Sequence, residues 1–358
     1  MSVQNAWLNK LGRVRLCLAV AGFDSCFFLR MNGVGGMQHL ATLPTTHVDA
    51  VMASVQSKSA AARSRLAASW RRSMLAHGLD PSQKAPQDCL TGRDIAERRD
   101  ALGRVMEIAA PKLDRLFELL GSSGCGVVLT DDEGVIVDHR FSDADQTVFE
   151  GWGLGLGAVW SEAAEGTNGI GTCITEERPV TIHRNEHFMA RNTAMSCIDA
   201  PIFGADGQLI AALDVSSARA DQTQTINGLI AEMVSQMARM VEADNFRANF
   251  AGSRIVVADH DDTSCAMLLA VDHDDVVIGA TRGARKAYGL ETQGAFAAMP
   301  ASDLFGRGDG PVGFEKAERA AVVRALVRAN NNVSVAARDL DVSRATLYRR
   351  MKRLRLSE

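Results

Sequence analysis

No two cysteines in this chain are spaced as CxxC, and no cysteine spacing repeats. The seven thiols, at 17, 26, 89, 125, 173, 197 and 265, form an odd and scattered set. That pattern excludes a zinc knuckle or a disulfide framework and reads as reduced thiols in a cytoplasmic protein. Long apolar runs are missing too: none reaches the ~20 residues a membrane-spanning helix needs, so no membrane is expected as a partner. The stretch "LCLAVAGFDSCFFL" (16–29) follows Lys10, Arg13 and Arg15 in the manner of a signal peptide. Asp24 interrupts it, however, and no convincing small-residue cleavage site follows. Residues 1–46 are read as an extension of uncertain structure, with Met31 and Met37 as alternative starts. The P-loop pattern, GxxxxGK followed by Ser or Thr, does not occur, so no ATP is expected in this sequence.

A strong overall charge is also absent: the net charge is −4. The average conceals an asymmetry. Eleven Lys and Arg against five Asp and Glu fall between Phe314 and Glu358, giving +6 there and leaving −10 for residues 1–313. With 358 residues, the chain is long enough for two or three domains, and one small basic module closes it.

Within that module, Phe314, Ala317, Ala321, Val322, Ala325 and Leu326 recur at helical spacing before Asn330-Asn331-Asn332 stops the helix. A second helix is expected over residues 334–340, capped by Asn332 or Ser334, with Ala336 and Ala337 small enough for close helix approach. Asp341 takes a tight turn and Ser343 caps a third helix. Leu347, Met351 and Leu354 share one face of this helix, while Arg344, Thr346, Tyr348, Arg349, Lys352 and Arg353 occupy the others. A helix, short turn and helix with an apolar seam and a basic outer face suits the major groove of double-stranded DNA; the alternative is a solvated basic helix. "NNVSVAARDLDVSRATLYRRMKRL" resembles the Fis-type helix-turn-helix family over about 45 residues. The resemblance implies that Ser343, Arg344, Thr346, Tyr348, Arg349 and Lys352 face DNA, with Arg353 beside them, and that 314–328 supports a dimer. Asp341 stands where that family usually has glycine; Asp tolerates the left-handed conformation the turn requires.

Upstream, "CGVVLTDDEGVIVDHR" (125–140) and "DAPIFGADGQLIAALDVSS" (199–217) read as hairpins. Between them, Gly151, Gly153, Gly155 and Gly157 alternate without a phosphate-binding pattern and are read as a loop over a pocket. A helix running into a strand follows, which gives an α+β domain on an antiparallel sheet. "GLGAVWSEAAEGTNGIGT", "RPVTIHRNEHF" and "SCIDAPIFGADGQLIAALDVSS", with the helical lead-in "SWRRSMLAHGLDP" (69–81), resemble the GAF sensor of acetoin-catabolism-type transcriptional activators. Trp160, Glu162, Thr167, Asn168, Glu186, His187 and Cys197 are the candidate inward-facing set around an effector pocket. The alternative reading has Thr167 and Asn168 satisfying a turn and His187 as a hydrogen-bonded core group. His183 and His187, with Cys173 or Cys197, have metal-ligand chemistry, but a strand through His183 breaks their helical spacing, so no metal or cofactor is expected.

In residues 219–247, Ile226, Ile230, Met233, Met237 and Met240 step by four, three, four and three, a seam for pairing two identical helices or for packing on the sensor sheet. Residues 252–308 resemble a reduced PAS-like module, and "GAFAAM" (294–299) is read as a chance likeness to the sigma-contacting loop of the ATPase in larger relatives. The expected architecture is α+β and multidomain. It comprises an extension (1–46), a helical lead-in (47–121), a GAF sensor (122–218), a dimerising linker helix (219–250), a PAS-like module (251–308) and a linker with the all-α helix-turn-helix (309–358). The resemblance implies a cytoplasmic, homodimeric, effector-responsive transcriptional regulator, not an enzyme, whose effector is a small alcohol, ketone or related carbon source and which contacts RNA polymerase or occludes the promoter. Two alternatives use thiols: a GAF-type redox enzyme on Cys125, Cys173 and Cys197, or a redox-sensing regulator on Cys197.

Overall fold

The computed structural model describes residues 15–16, 27–28, 46–84, 89–217, 219, 223–258, 266–305 and 313–356. The chain divides into two units, Met1–Thr45 and Thr46–Glu358. In the first, β1 (Arg15–Leu16) pairs antiparallel with β2 (Phe27–Phe28). The other positions read above for that extension, including Cys17, Cys26, Met31 and Met37, lie outside the described residues, as do Cys265 and residues 306–312 of the last linker.

The second unit opens with helices whose starts are written in the sequence. Thr46 and Asp49 form a capping box at α1 (His47–Gln56), and Thr91 with Asp94 repeats it at α4 (Gly92–Leu102). Between them lie α2 (Ala60–Arg63) and α3 (Arg65–Leu75), the latter capped by Ser64, whose hydroxyl accepts from the Ala67 amide. Gly103, at φ +49°, turns the chain into α5 (Arg104–Leu120).

A five-stranded antiparallel sheet follows, built from β3 (Cys125–Asp131), β4 (Ile136–Arg140), β5 (Val180–His183), β6 (Ser196–Phe203) and β7 (Leu209–Ser217) in the order β4-β3-β7-β6-β5. Helices α6 (Gln146–Gly151), α7 (Glu162–Glu165) and α8 (Gly169–Glu176) lie between β4 and β5 in the chain. Strand alternation divides the sheet. Val127 and Leu129 of β3, Ile198, Ala200 and Ile202 of β6, and Leu213 and Val215 of β7 form one core with α5 and with α9 (Gln224–Asn249). The opposite faces carry Val128 and Cys197 to a second core with Phe149, Trp160 and Ile170. Each fully buried aliphatic side chain contributes about 1.5–3 kcal/mol, so this two-sided burial is what fixes the strand register.

Helix α9 settles how the 226–240 seam is used. Ile230, Val234, Ala238 and Val241 are buried, with Met233 and Met237 packed against the same core. Ile226, Leu229 and Met240 are exposed. The middle of the expected dimer seam therefore serves the sheet, because the sheet presents a wide apolar face there.

Next come β8 (Arg254–Val257), β9 (Leu268–Val271), β10 (Val276–Ala280), α10 (Arg282–Ala287), β11 (Met299–Pro300) and α11 (Ala301–Leu304), with the strands in the antiparallel order β11-β10-β9-β8. This small sheet is fastened to the larger one. Arg282 donates to the Gly207 carbonyl (3.0 Å), lies 4.4 Å over the Phe203 ring and is ion-paired with Glu177.

The chain then forms α12 (Phe314–Arg328), α13 (Val333–Asp339) and α14 (Arg344–Arg353) around Val322, Ala325, Leu326, Ala336, Ala337, Leu347, Met351 and Leu354. Asn330 (φ +48°) and Asn331 (φ +62°) end α12 in left-handed conformations, and Asp341 (φ +52°) makes the turn before α14. Asn332 caps α13 and Ser343 caps α14. Phe314 departs from the expected seam: it is 98 % exposed, because α12 begins a full turn before its partners reach it.

Gly171 shows how tightly the second core is closed. A Cβ there would stand 2.4 Å from the Glu162 amide nitrogen and 2.7 Å from the Trp160 carbonyl oxygen, backbone atoms that cannot rotate away. Gly171→Ala is expected to cost about 2–3 kcal/mol in urea unfolding, whereas Gly151→Ala, where a Cβ meets open space, should be nearly neutral. Equal midpoints for the two variants would contradict this packing.

Candidate functional site

The second face of the sheet is polar where it should be oily. In the β6–β7 register Cys197 stands opposite Ser216 and Asp199 opposite Asp214, and all four are buried. Helix α8 closes over them. A Cβ at Gly169 would lie 2.0 Å from Asp199 Oδ2, so only glycine lets the start of the helix rest on that carboxyl. Ser216 Oγ donates to Asp214 Oδ2 (2.8 Å) and also contacts Cys197 Sγ (3.3 Å), and His187 Nε2 is 3.4 Å from the same sulfur.

Burial pushes the His187 imidazole down to about 4, so the ring is neutral at physiological pH. Its Nδ1 lies 2.9 Å from the Arg184 carbonyl, which can only accept; Nδ1 therefore carries the proton and Nε2 faces the thiol as an acceptor. Burial, and then the Asp214 and Asp199 carboxyls, hold the Cys197 thiol well above its ordinary range, and Cys173 is raised by the same groups. A neutral imidazole beside an un-ionised thiol is the reverse of a reactive ion pair, which opposes thiolate chemistry at Cys197.

Asp199 is raised well above the carboxylate range by burial and by Asp214, and burial lifts Asp214 to about 7. Apart from each other, the Asp199 oxygens and Asp214 Oδ1 have no hydrogen-bond partner. Two carboxyls in one dry site cannot both ionise at little cost, so the pair shares a proton near neutrality.

The seven residues read as a pocket set do not form one set. Trp160 donates from Nε1 to the Gly153 carbonyl (2.9 Å), pinning the glycine loop. Asn168 caps α8, accepting from the Gly171 amide (2.8 Å) and donating to the Gly166 carbonyl (2.8 Å). Glu186 accepts from the His183 amide (2.7 Å). Glu162 and Thr167 turn toward the lead-in helix α3. Ser69 Oγ donates to Glu162 Oε1 (2.6 Å) and lies 2.7 Å from Thr167 Oγ1, Arg72 Nε donates to Glu162 Oε2 (2.9 Å), and Ser73 Oγ lies 3.2 Å from Thr167 Oγ1. Trp70 Nε1 donates to the Glu186 carbonyl (2.8 Å). Only His187 and Cys197 join the carboxyl pair. Asp199, Asp214, Ser216, Ser69, Arg72 and Ser73 were missed. For the aspartates the available signal was an acidic side chain inside an otherwise apolar strand run, "CIDAPIF" and "LIAALDVSS".

Cavities border this domain among the described residues. One of about 110 Å³ lies between α3, α8 and β5, lined by Leu66, Ser69, Thr167, Thr172, Val180 and Ile182 among others. A groove of about 570 Å³ runs beside Arg72, Arg98, Asp132 and Glu162. Another of about 460 Å³ sits by the glycine loop, with Lys84, Cys89, Trp152 and Arg191.

At the other end, Ser343 Oγ accepts from the Thr346 amide (3.1 Å), which sets the start of α14. Ser343, Arg344, Tyr348, Arg349 and Lys352 are exposed and Thr346 half-buried, and none of them belongs to the Leu347–Met351–Leu354 seam. Arg344 lies 5.6 Å over the Tyr348 ring. Arg353 differs from the others: it is ion-paired with Glu318 of α12, as is Arg350 at 3.4 Å.

An antiparallel sheet domain with a polar interior, followed by a capped three-helix reader with an arginine-rich outer face, is the build of a regulatory protein with a helix-turn-helix. The chain belongs to the family defined by the MimR N-terminal domain, which it matches over residues 48–238, and its residues 313–354 match the Fis family of bacterial regulatory proteins. It is 30 % identical over 243 residues to the acetoin catabolism regulatory protein of Cupriavidus necator, covering 67 % of this chain and 36 % of that one. The acetoin dehydrogenase operon transcriptional activator AcoR of Bacillus subtilis is 28 % identical over 43 % of this chain and 25 % of its own. The propane 2-monooxygenase operon transcriptional activator MimR of Mycolicibacterium smegmatis is 34 % identical over 27 % of this chain and 17 % of its own. The matches thus span little more than a third of these relatives, or less. The relatives are named as a regulatory protein and as transcriptional activators. Among solved structures, the E. coli DhaR(N)–DhaL complex gives a TM-score of 0.47 at 12 % identity, over 66 % of this chain and 80 % of that one.

The carboxyl pair makes a pH prediction. Unfolded aspartates titrate near ~3.9, so between about pH 4 and pH 7 the folded chain holds more protons than the unfolded one. The stability contributed by protonated Asp214 is full below pH 4 and is lost as pH rises through about 7. Asp214→Asn removes the second charge and should melt higher than the parent at pH 8, by on the order of 5 °C, with the gap closing toward pH 4. A variant that melts lower at both pH values would contradict the shared-proton account.

Proposed function

We propose that the protein is a ligand-responsive, sequence-specific DNA-binding regulator of transcription. The observation that carries this is α14: a helix capped by Ser343, seated by Leu347 and Met351, presenting Arg344, Tyr348 and Arg349 outward in a segment that matches the Fis family. Arg349 and Arg344 would make paired bonds to base edges, while Ser343, Thr346 and Lys352 would fix the helix against phosphates. Arg353, held by Glu318, would act first as a brace between α12 and α14.

Residues 122–218 are proposed as a GAF-type sensor, supported by the β4-β3-β7-β6-β5 order with helices on both faces. Residues 47–121 serve as its lead-in, 219–250 as the linker helix, 251–308 as a PAS-like module and 309–358 as the DNA-binding end. A homodimer would meet two half-sites, and the apolar stripe left for pairing on α9 is Ile226, Leu229 and Met240. The relatives' names, acetoin and propane oxidation operons, support a small carbon-source metabolite as effector and a promoter of catabolic genes as target. Such an effector regulates only if it prefers one packing of the chain over another. RNA polymerase is the further proposed partner. The thiol alternatives are not favoured, because Cys197 is buried, un-ionised and beside a neutral histidine.

Binding to the promoter DNA beside the protein's own gene, measured across a salt series, tests the reading. Affinity should fall steeply with salt, and Arg349→Ala should weaken specific binding by about tenfold or more while Arg353→Ala chiefly lowers the melting temperature of the end module. Arg349→Ala binding as tightly and as selectively as the parent would remove the DNA-reading role of α14.

A further inference from the structure

We infer that Arg282 is the positioning residue through which the state of the sensor interior reaches the small sheet. This rests on the ligand-sensor reading and adds the route by which the sensor acts on the rest of the chain.

The buried carboxyl pair is enclosed by two elements. The β6–β7 hairpin carries it, with Asp199 on one strand and Asp214 opposite on the other. Helix α8 covers it, and its first residue, Gly169, rests on the Asp199 carboxyl so closely that a Cβ would stand 2.0 Å from Oδ2. That contact has no slack, so a change at the pair bears on the hairpin and on α8 together.

Both elements end on one guanidinium. Glu177 follows α8 in a left-handed conformation (φ +47°), and its carboxylate is ion-paired with Arg282. In the hairpin turn the Gly207 carbonyl accepts from Arg282 Nη1 (3.0 Å), and the Phe203 ring at the end of β6 lies 4.4 Å from the same group. Arg282 opens α10. Next to it in the chain, Thr281 Oγ1 accepts from the Leu268 amide of β9 (3.0 Å), which ties the start of α10 to the small sheet.

These contacts set direction more than they add strength. The Glu177 side chain is 38 % exposed and that of Arg282 24 %, so water screens their ion pair and it contributes little stability. Adhesion comes from elsewhere: Ala205 of the same turn packs with Phe246, Leu268 and Ala270. An apolar contact of that kind is indifferent to α8. A planar guanidinium holding a carboxylate and a carbonyl at fixed angles is not, because a shift of α8 against the hairpin breaks one bond unless α10 follows.

The test uses the full chain and needs neither effector nor DNA. Amide hydrogen exchange in β9 and β10 is measured in the parent, Asp214→Asn, Arg282→Ala and the double variant. Asp214→Asn alters the pair at nearly constant volume. It should change exchange in β9 and β10 by about fivefold when Arg282 is present, and by less than about twofold when it is alanine. Should Asp214→Asn fail to fold, Ser216→Ala, which removes the hydroxyl that donates to Asp214, supplies the perturbation. An Arg282 that only holds the sheets together would leave the change the same size in both backgrounds, and that result overturns the inference. So does a parent in which neither perturbation alters β9 or β10. Failure of the promoter-binding assay would sink the regulator reading and leave the outcome of this cycle untouched, so the two can be told apart.

Discussion

The carboxylate of Glu162 is buried at the edge of the sensor, and Ser69 and Arg72 of α3 satisfy it. Leaving that charge unpaired would cost several kcal/mol, so α3 and the sensor can separate only together with its solvation. Thr167, Ser73 and the Trp70–Glu186 bond extend the joint along the helix. The lead-in is thereby part of the domain it precedes, and the family match, which begins at residue 48 and not at the first strand, has a physical reason.

Beneath this joint lies a second polar layer, the Asp199–Asp214 pair with Ser216, Cys197 and His187. The two layers differ in kind. The outer one is an ion pair satisfied by hydroxyls, the inner one is short of donors and held together by a proton. A domain that keeps unpaired acceptors in its interior gives up stability for them, and such groups are commonly kept for what they recognise. The apolar core on the other face, between the sheet and α5 and α9, carries the compensating burial.

Much of this was legible in the residues. Caps, turns and charge placed the three terminal helices, with Asn332, Asp341 and Ser343 in the expected roles, because those signals are local. Both hairpins of the sheet were equally plain, for the same reason. The site was legible in its motifs and not in its partnerships. Glu162 and Thr167 were read as lining an effector pocket, but the helix they bind lies some ninety residues earlier, and no spacing rule spans that distance. Asp199 and Asp214 meet only through strand register. The α9 seam misled in part because one heptad pattern serves equally for a sheet and for a second helix, and Ile230, Met233 and Met237 went to the sheet.

The central claim is that the buried polar motif around Glu162 is a joint to α3 and not a set of free ligand contacts. A double-mutant cycle on the full chain, Arg72→Ala against Glu162→Gln in urea unfolding, measures it directly. The account predicts a coupling of about 1.5–3 kcal/mol between the two positions. Additivity to within about 0.5 kcal/mol would contradict it.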